Sequence, residues 1–162
     1  MLLFISLGAT AQNPDGFDKM VKSKLRGTVQ QVSPTQLFIL LQKNPKATIL
    51  DTRSTNEYNV SHLKNAKLID YDNFSLDQVA GLDKNEKIFV YCSIGVRSEN
   101  IGDKLKKAGF TKVYNLFGGI FNWANNGHEI VDSSGKKTTK VHGYNTIWGK
   151  WINTSKCQKV VD

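Results

Sequence analysis

The stretch Glu86–Gly109, EKIFVYCSIGVRSENIGDKLKKAG, decides how the chain reads. Its first part, EKIFVYC, is β-branched and aromatic with little alternation, the pattern of a strand buried on both faces. Its second part sets Val96, Ile101, Leu105 and Ala108 at roughly helical spacing and stops at Gly109, a residue suited to the position just past a helix. Cys92 therefore falls at the carboxyl end of a strand, directly before a helix. In parallel sheets, ligands bind beyond those carboxyl ends.

Working outward, the same alternation continues in both directions. Phe17, Met20, Val21 and Leu25 mark a short polar helix over residues 13–26, and GTVQQVS reads as a short edge strand. SPTQLFILLQKN is a helix with Ser33 as N-cap, Pro34 in its first turn and an apolar face of Leu37, Leu40 and Leu41. ATILDTR is a strand ending in charge, and STNEY restarts as a helix with Ser54 as cap and Glu57 three residues on. AKLIDY is a strand, SLDQVAGL a helix capped by Ser75, KVYNL a last strand, and GGIFNWANNG a turn and short helix stopped by Gly127. Strands alternating with helices from about residue 27 to 126 predict an α/β fold: a doubly wound parallel sheet of about five strands, covered by helices on both faces.

The loop from Cys92 to Val96 carries the chemistry. Consecutive N–H groups at the start of a helix have no helical partner, and in a curled loop they converge into a nest for an anion. Gly95 allows the turn, and Arg97 brings a planar cation to the rim. A free thiol titrates at about 8.5, and a helix N-terminus with nearby cations favours the thiolate, which is the attacking species. The competing reading is a buried structural cysteine at a strand end. The loop by itself leaves the two open.

Three segments together resemble the rhodanese family of sulfurtransferases. ILDTRSTNEYNVSHLKNAKLI is similar to its Asp-x-Arg, Glu-Tyr and His-Ile/Leu-x-x-Ala pattern, YCSIGVRS to its active-site loop, and LFGGIFNWANNGHEI to its closing Gly-Gly-x-x-x-Trp segment. They occur in the family's order across roughly residues 30 to 131. The resemblance implies that Cys92 attacks the outer sulfur of thiosulfate or a similar sulfane donor, holds it as a persulfide, and passes it to a nucleophilic acceptor such as cyanide or a thiol. It also implies that the amides of Ser93, Ile94, Gly95, Val96 and Arg97 surround the sulfur, with no separate general base.

Two further classes stay in view. One is a persulfide carrier or partner-binding module of the same fold with little turnover. The other is a cysteine phosphatase or arsenate reductase. Four residues lie between Cys92 and Arg97, one fewer than in cysteine phosphatases, so the loop suits a single sulfur better than a tetrahedral phosphate. No histidine precedes Cys92 directly, and no acid is placed to protonate a leaving alcohol. Asp51 and Arg53 read as a strand-end pair that fixes adjacent loops. His62 reads as a turn contact, and His62, His128 and His142 lack the spacing of metal ligands. No metal or cofactor is expected.

The formal charge of +8 attracts anions in general. The lysines are spread along the chain, and the cluster Lys104, Lys106, Lys107 and Lys112 falls near a helix end, where cations suit the dipole. With no nucleic-acid motif beside it, no nucleic-acid partner is expected. The opening MLLFISLGATAQ reads as a secretory signal over residues 1–11, cut after Ala11, and so as an exported protein, periplasmic or secreted. The alternative is a buried first element. The run is too short to span a bilayer, and no stable membrane anchor is expected.

The family-like domain is read over residues 12–132, followed by a C-terminal extension over 133–162. SSGKKTTK reads as a flexible basic linker. YNTIWGKWI sets Tyr144, Ile147, Trp148, Trp151 and Ile152 on one face of an amphipathic helix, weakened by Gly149. That face either packs onto the domain or docks a protein acceptor. Cys157 is a candidate partner for Cys92, as a disulfide or a resolving thiol.

Overall fold

The computed structural model describes residues 14–161, so the leader read over residues 1–11 lies outside the described residues. Two serine caps set the first helical boundaries. Helix α1 spans Pro14–Lys24, strand β1 Gln30–Val32 and helix α2 Pro34–Lys43. Ser33 closes a capping box with Gln36 at the start of α2. After strand β2, Thr48–Asp51, Ser54 and Glu57 form a second box at the start of helix α3, Thr55–Val60. Strand β3 is only Lys67–Leu68, because Asp70 turns the chain away at a φ of 28°. The helix expected from SLDQVAGL is a short 3-10 turn, Leu76–Val79, capped by Ser75. Strand β4, Lys87–Tyr91, helix α4, Val96–Lys107, strand β5, Lys112–Leu116, and helix α5, Gly119–Asn125, complete the series.

The five strands form one parallel sheet in the order β1-β5-β4-β2-β3. Strand β4 is central, and its side chains are buried on both faces. Ile88 and Val90 join Leu50, Ile101, Leu105 and Val113 under α4. Phe89 and Tyr91 join Leu37, Ile49, Leu116 and Phe121 in the core on the opposite face, to which Phe17 and Val21 of α1 also belong. This two-sided burial is the physical reason that EKIFVYC shows no polar alternation.

The C-terminal segment departs from the sequence reading. The supposed linker is an antiparallel ribbon of β6, Ile130–Val131, and β7, Lys137–Thr138. The Asp132 carboxylate fixes its turn by accepting the backbone N–H of Ser134 at 2.9 Å and of Lys136 at 3.1 Å. Strands β8, Lys140–His142, and β9, Gln158–Val160, pair in parallel and bracket a single helical turn, α6, Thr146–Gly149. The longer amphipathic helix does not form: Asn145 caps α6 and leaves Tyr144 outside it, in the left-handed region at φ 65°. Val141 and Ile152 enter the main core, and Trp151 meets Phe17 with ring centroids 5.7 Å apart. The Asn125 amide clamps this hook to α5, donating to the Trp151 carbonyl and accepting the Asn153 N–H, both at 2.8 Å.

Candidate active site

Cys92 leaves the end of β4 and is 2% exposed. The N–H of Gly95 donates to its Sγ at 3.1 Å. That contact requires the chain to double back at Gly95, which sits at φ 108° immediately before the first turn of α4. The Gly95 carbonyl is held in turn by the Asn115 side-chain amide at 2.9 Å, and Ser98 Oγ donates to Asn115 Oδ1 at 2.7 Å. Asn115 is fully buried on β5, so the neighbouring strand sets the curl of the loop.

A second brace comes from the start of α5. The N–H groups of Ile120 and Phe121 donate to the carbonyls of Cys92 at 2.9 Å and of Ser93 at 3.2 Å. Gly119 lies between the two backbones at φ 56°, and a Cβ there would stand 2.6 Å from the Ser93 carbonyl. The Gly-Gly turn thus lets one backbone rest directly on another.

Glu57 closes the opposite side. It is 2% exposed, and both its oxygens pair with the Arg97 guanidinium, at 2.7 and 2.8 Å. Ser93 Oγ donates to Glu57 Oε1 at 2.8 Å and accepts from Arg97 at 2.9 Å. Burial by itself pushes the Glu57 carboxyl up, but the Arg97 hydrogen bonds and charge, the Arg53 charge and the Ser54 amide outweigh it and hold it at about 2. Arg97 shows the reciprocal effect. Burial lowers its pKa, yet hydrogen bonding to Glu57 and the charges at Cys92 and Glu57 raise it above the usual value. The guanidinium expected to face a ligand is thus engaged by Glu57, and the Tyr144 ring lies over it at 4.9 Å.

A cavity of about 210 Å³ opens over the sulfur. Cys92, Ser93, Ile94, Val96 and Arg97 line it, together with Lys24, Tyr144 and Trp148. Gly95 lies beneath, bound to the sulfur. The six loop residues expected from the sequence are therefore together. Glu57 was legible only as a capping residue; its place in the Glu-Tyr motif was the one available signal. Lys24, Tyr144 and Trp148 carried no signal for this cavity.

Asp51 and Arg53 occupy the strand-end position expected of them. Arg53 is fully buried, chelates Asp51, donates to the Ser61 carbonyl at 2.6 Å and lies 5.6 Å from the Tyr91 ring centre. His62 packs flat on Tyr58 with centroids 3.8 Å apart. Cys157 and Cys92 are both free thiols. Cys157 lies in the apolar core, and burial pushes its thiol up, which suits packing rather than exchange. Lys106 donates to the Thr28 carbonyl at 2.7 Å and Lys107 reaches Asp103, so these members of the lysine cluster serve local contacts.

Residues 34–126 match the family model described as the rhodanese-like domain. The chain belongs to that family. The rhodanese-like domain is similar to solved structures of the same kind. One is the rhodanese-like domain of an Anabaena protein, with 27% identity and a TM-score of 0.58 over 63% of this chain and 78% of that one. Another is the polysulfide-sulfur transferase homodimer of Wolinella succinogenes, with 29% identity and a TM-score of 0.58 over 74% and 90%. Curated relatives are named tRNA uridine(34) hydroxylase. That of Aster yellows witches'-broom phytoplasma (strain AYWB) is 38% identical over 54% of this chain and 30% of its own length. That of Hamiltonella defensa subsp. Acyrthosiphon pisum (strain 5AT) is 31% identical over 74% and 34%. The chain thus spans about a third of the length of these relatives. Lys24, Tyr144 and Trp148 lie outside the matched residues 34–126, so the cavity of this rhodanese-like domain is partly built by segments beyond the family core.

Proposed function

We propose that the chain is a sulfurtransferase that carries a sulfane sulfur as a persulfide on Cys92. The observation that carries this reading is the Cys92 sulfur accepting the Gly95 N–H at the floor of a small cavity. As a thiolate, Cys92 attacks the outer sulfur of thiosulfate or a similar donor. The new S–S bond forms as the donor S–S bond breaks, and sulfite leaves with the electron pair. The amides of Ser93, Ile94, Val96 and Arg97 are the remaining donors for the transferred sulfur. A thiol or cyanide then attacks that outer sulfur, and Cys92 leaves as thiolate.

The neighbours support sulfur transfer in general, since the Wolinella protein is named for it. The hydroxylase name belongs to longer proteins, of which this chain matches only about a third. The engaged state of Arg97 favours sulfur over phosphate chemistry, because a cysteine phosphatase needs that guanidinium to bind its substrate.

The test is incubation with thiosulfate followed by whole-protein mass and thiocyanate formation from cyanide. The expected result is a mass increase of one sulfur atom and turnover, both lost in Cys92→Ser. An adduct without turnover assigns the chain as a persulfide carrier. Hydrolysis of an aryl phosphate with no sulfur adduct overturns the reading.

A further inference from the structure

We infer that Lys24, Tyr144 and Trp148 select the sulfur acceptor, and that it is a small thiol bearing a carboxylate. The inference rests on the sulfur-transfer reading of Cys92 and goes on to name the acceptor class.

Four of the cavity's lining side chains, Ile94, Val96, Tyr144 and Trp148, are apolar or aromatic. An organic stem gains by burial there. The volume of about 210 Å³ lies below the roughly 300 Å³ at which pockets for drug-sized ligands begin. The fitting stem is therefore a few carbons long.

Two cations line the cavity, and they differ. The Arg97 charge is matched by Glu57 at 2.7 Å, and the Tyr144 ring caps its face. Lys24, at the end of α1, makes no ion pair among the described residues. It is the cation left to meet a ligand carboxylate.

The wall is held in place against a conformational cost. Tyr144 is a bulky residue in the left-handed region, which L side chains rarely adopt. Its N–H donates to His142 Nδ1 at 3.0 Å, and its ring is set over Arg97 at the cavity edge. Strain of this kind gathers where a side chain must stand in one place for a ligand.

The step balances without an outside oxidant or reductant. The acceptor thiolate attacks the outer sulfur of protonated Cys92 persulfide. The Cys92 S–S bond breaks, Cys92 leaves as thiolate, and the acceptor departs as its own persulfide, carrying the proton.

The experiment loads the full chain with thiosulfate and measures transfer to mercaptopropionate, mercaptoethanol and cysteamine. Comparing each preference between variants cancels the intrinsic reactivity of the thiols. Lys24→Gln is expected to lower the mercaptopropionate-to-mercaptoethanol ratio of kcat/KM about three- to fivefold. Lys24→Glu shifts preference toward cysteamine. Tyr144→Ala raises KM for all three thiols. Lys46→Gln, before β2 at the end of the sheet away from Cys92, leaves the ratio unchanged. A ratio unmoved by both Lys24 variants, or moved equally by Lys46→Gln, overturns the selection while sulfur transfer stands. No sulfur adduct on Cys92 overturns both.

Discussion

The loop over residues 92–97 and the hook over residues 143–152 meet at one cavity but are built in opposite ways. The loop is braced on every side by groups deep in the molecule: Asn115 from β5, the start of α5, and Glu57 from α3. Its side chains are buried or nearly so. The hook is anchored at its base by Ile152 and the Asn125 clamp, while Tyr144 is 49% and Ile147 67% exposed. The candidate nucleophile thus sits on braced, buried elements, and the outer cavity wall sits on a more exposed edge.

The sharpest way to break this contrast is Gly119→Ala. A left-handed φ and a Cβ pressed on the Ser93 carbonyl together are expected to cost about 4 kcal/mol. Urea unfolding reads the loss, and the sulfur adduct proposed for Cys92 is expected to be lost with it. Glu57→Gln is next. It leaves the largely buried Arg97 cation without its counter-charge and is expected to cost about 3 kcal/mol, again by urea unfolding.

The same pair has a pH signature. Folding lowers the Glu57 pKa from 4.5 to about 2, so its contribution is fully present above the ordinary carboxyl range and is lost as pH falls toward 2. The stability gap between wild type and Glu57→Gln therefore narrows steadily from pH 5 downward. A gap that stays constant would show that the ion pair adds nothing.

The hook is expected to respond far less. Tyr144→Ala removes a ring over a cation at a partly exposed site and should cost less than about 1 kcal/mol in thermal or urea unfolding. Tyr144→Gly loses the same ring but gains a residue at ease at φ 65°, so it should unfold later than Tyr144→Ala. The reverse order would remove the argument that Tyr144 is held against strain.

Much of the loop was readable before folding was considered. Ser33, Ser54 and Ser75 cap the turns that their spacing marks, and Gly109 ends α4 at φ 96°. The unbroken apolar run of β4 announced a central strand. By contrast, SSGKKTTK carries the composition of a linker and still forms a ribbon, because Asp132 outside it fixes the turn. YNTIWGKWI carries helical spacing and makes one turn, because Tyr144 is pulled out of register toward Arg97 and His142.

By itself, then, the sequence determined the strand–loop–helix around Cys92, the parallel sheet and the glycines its backbone contacts demand. These follow from steric preference, capping and apolar periodicity, which act over a few residues. Only the tertiary structure decided that Glu57 would neutralise Arg97 across 40 positions, and that Lys24, Tyr144 and Trp148 would share a cavity. Such meetings depend on strand order and on which core each element joins, and no local pattern encodes them.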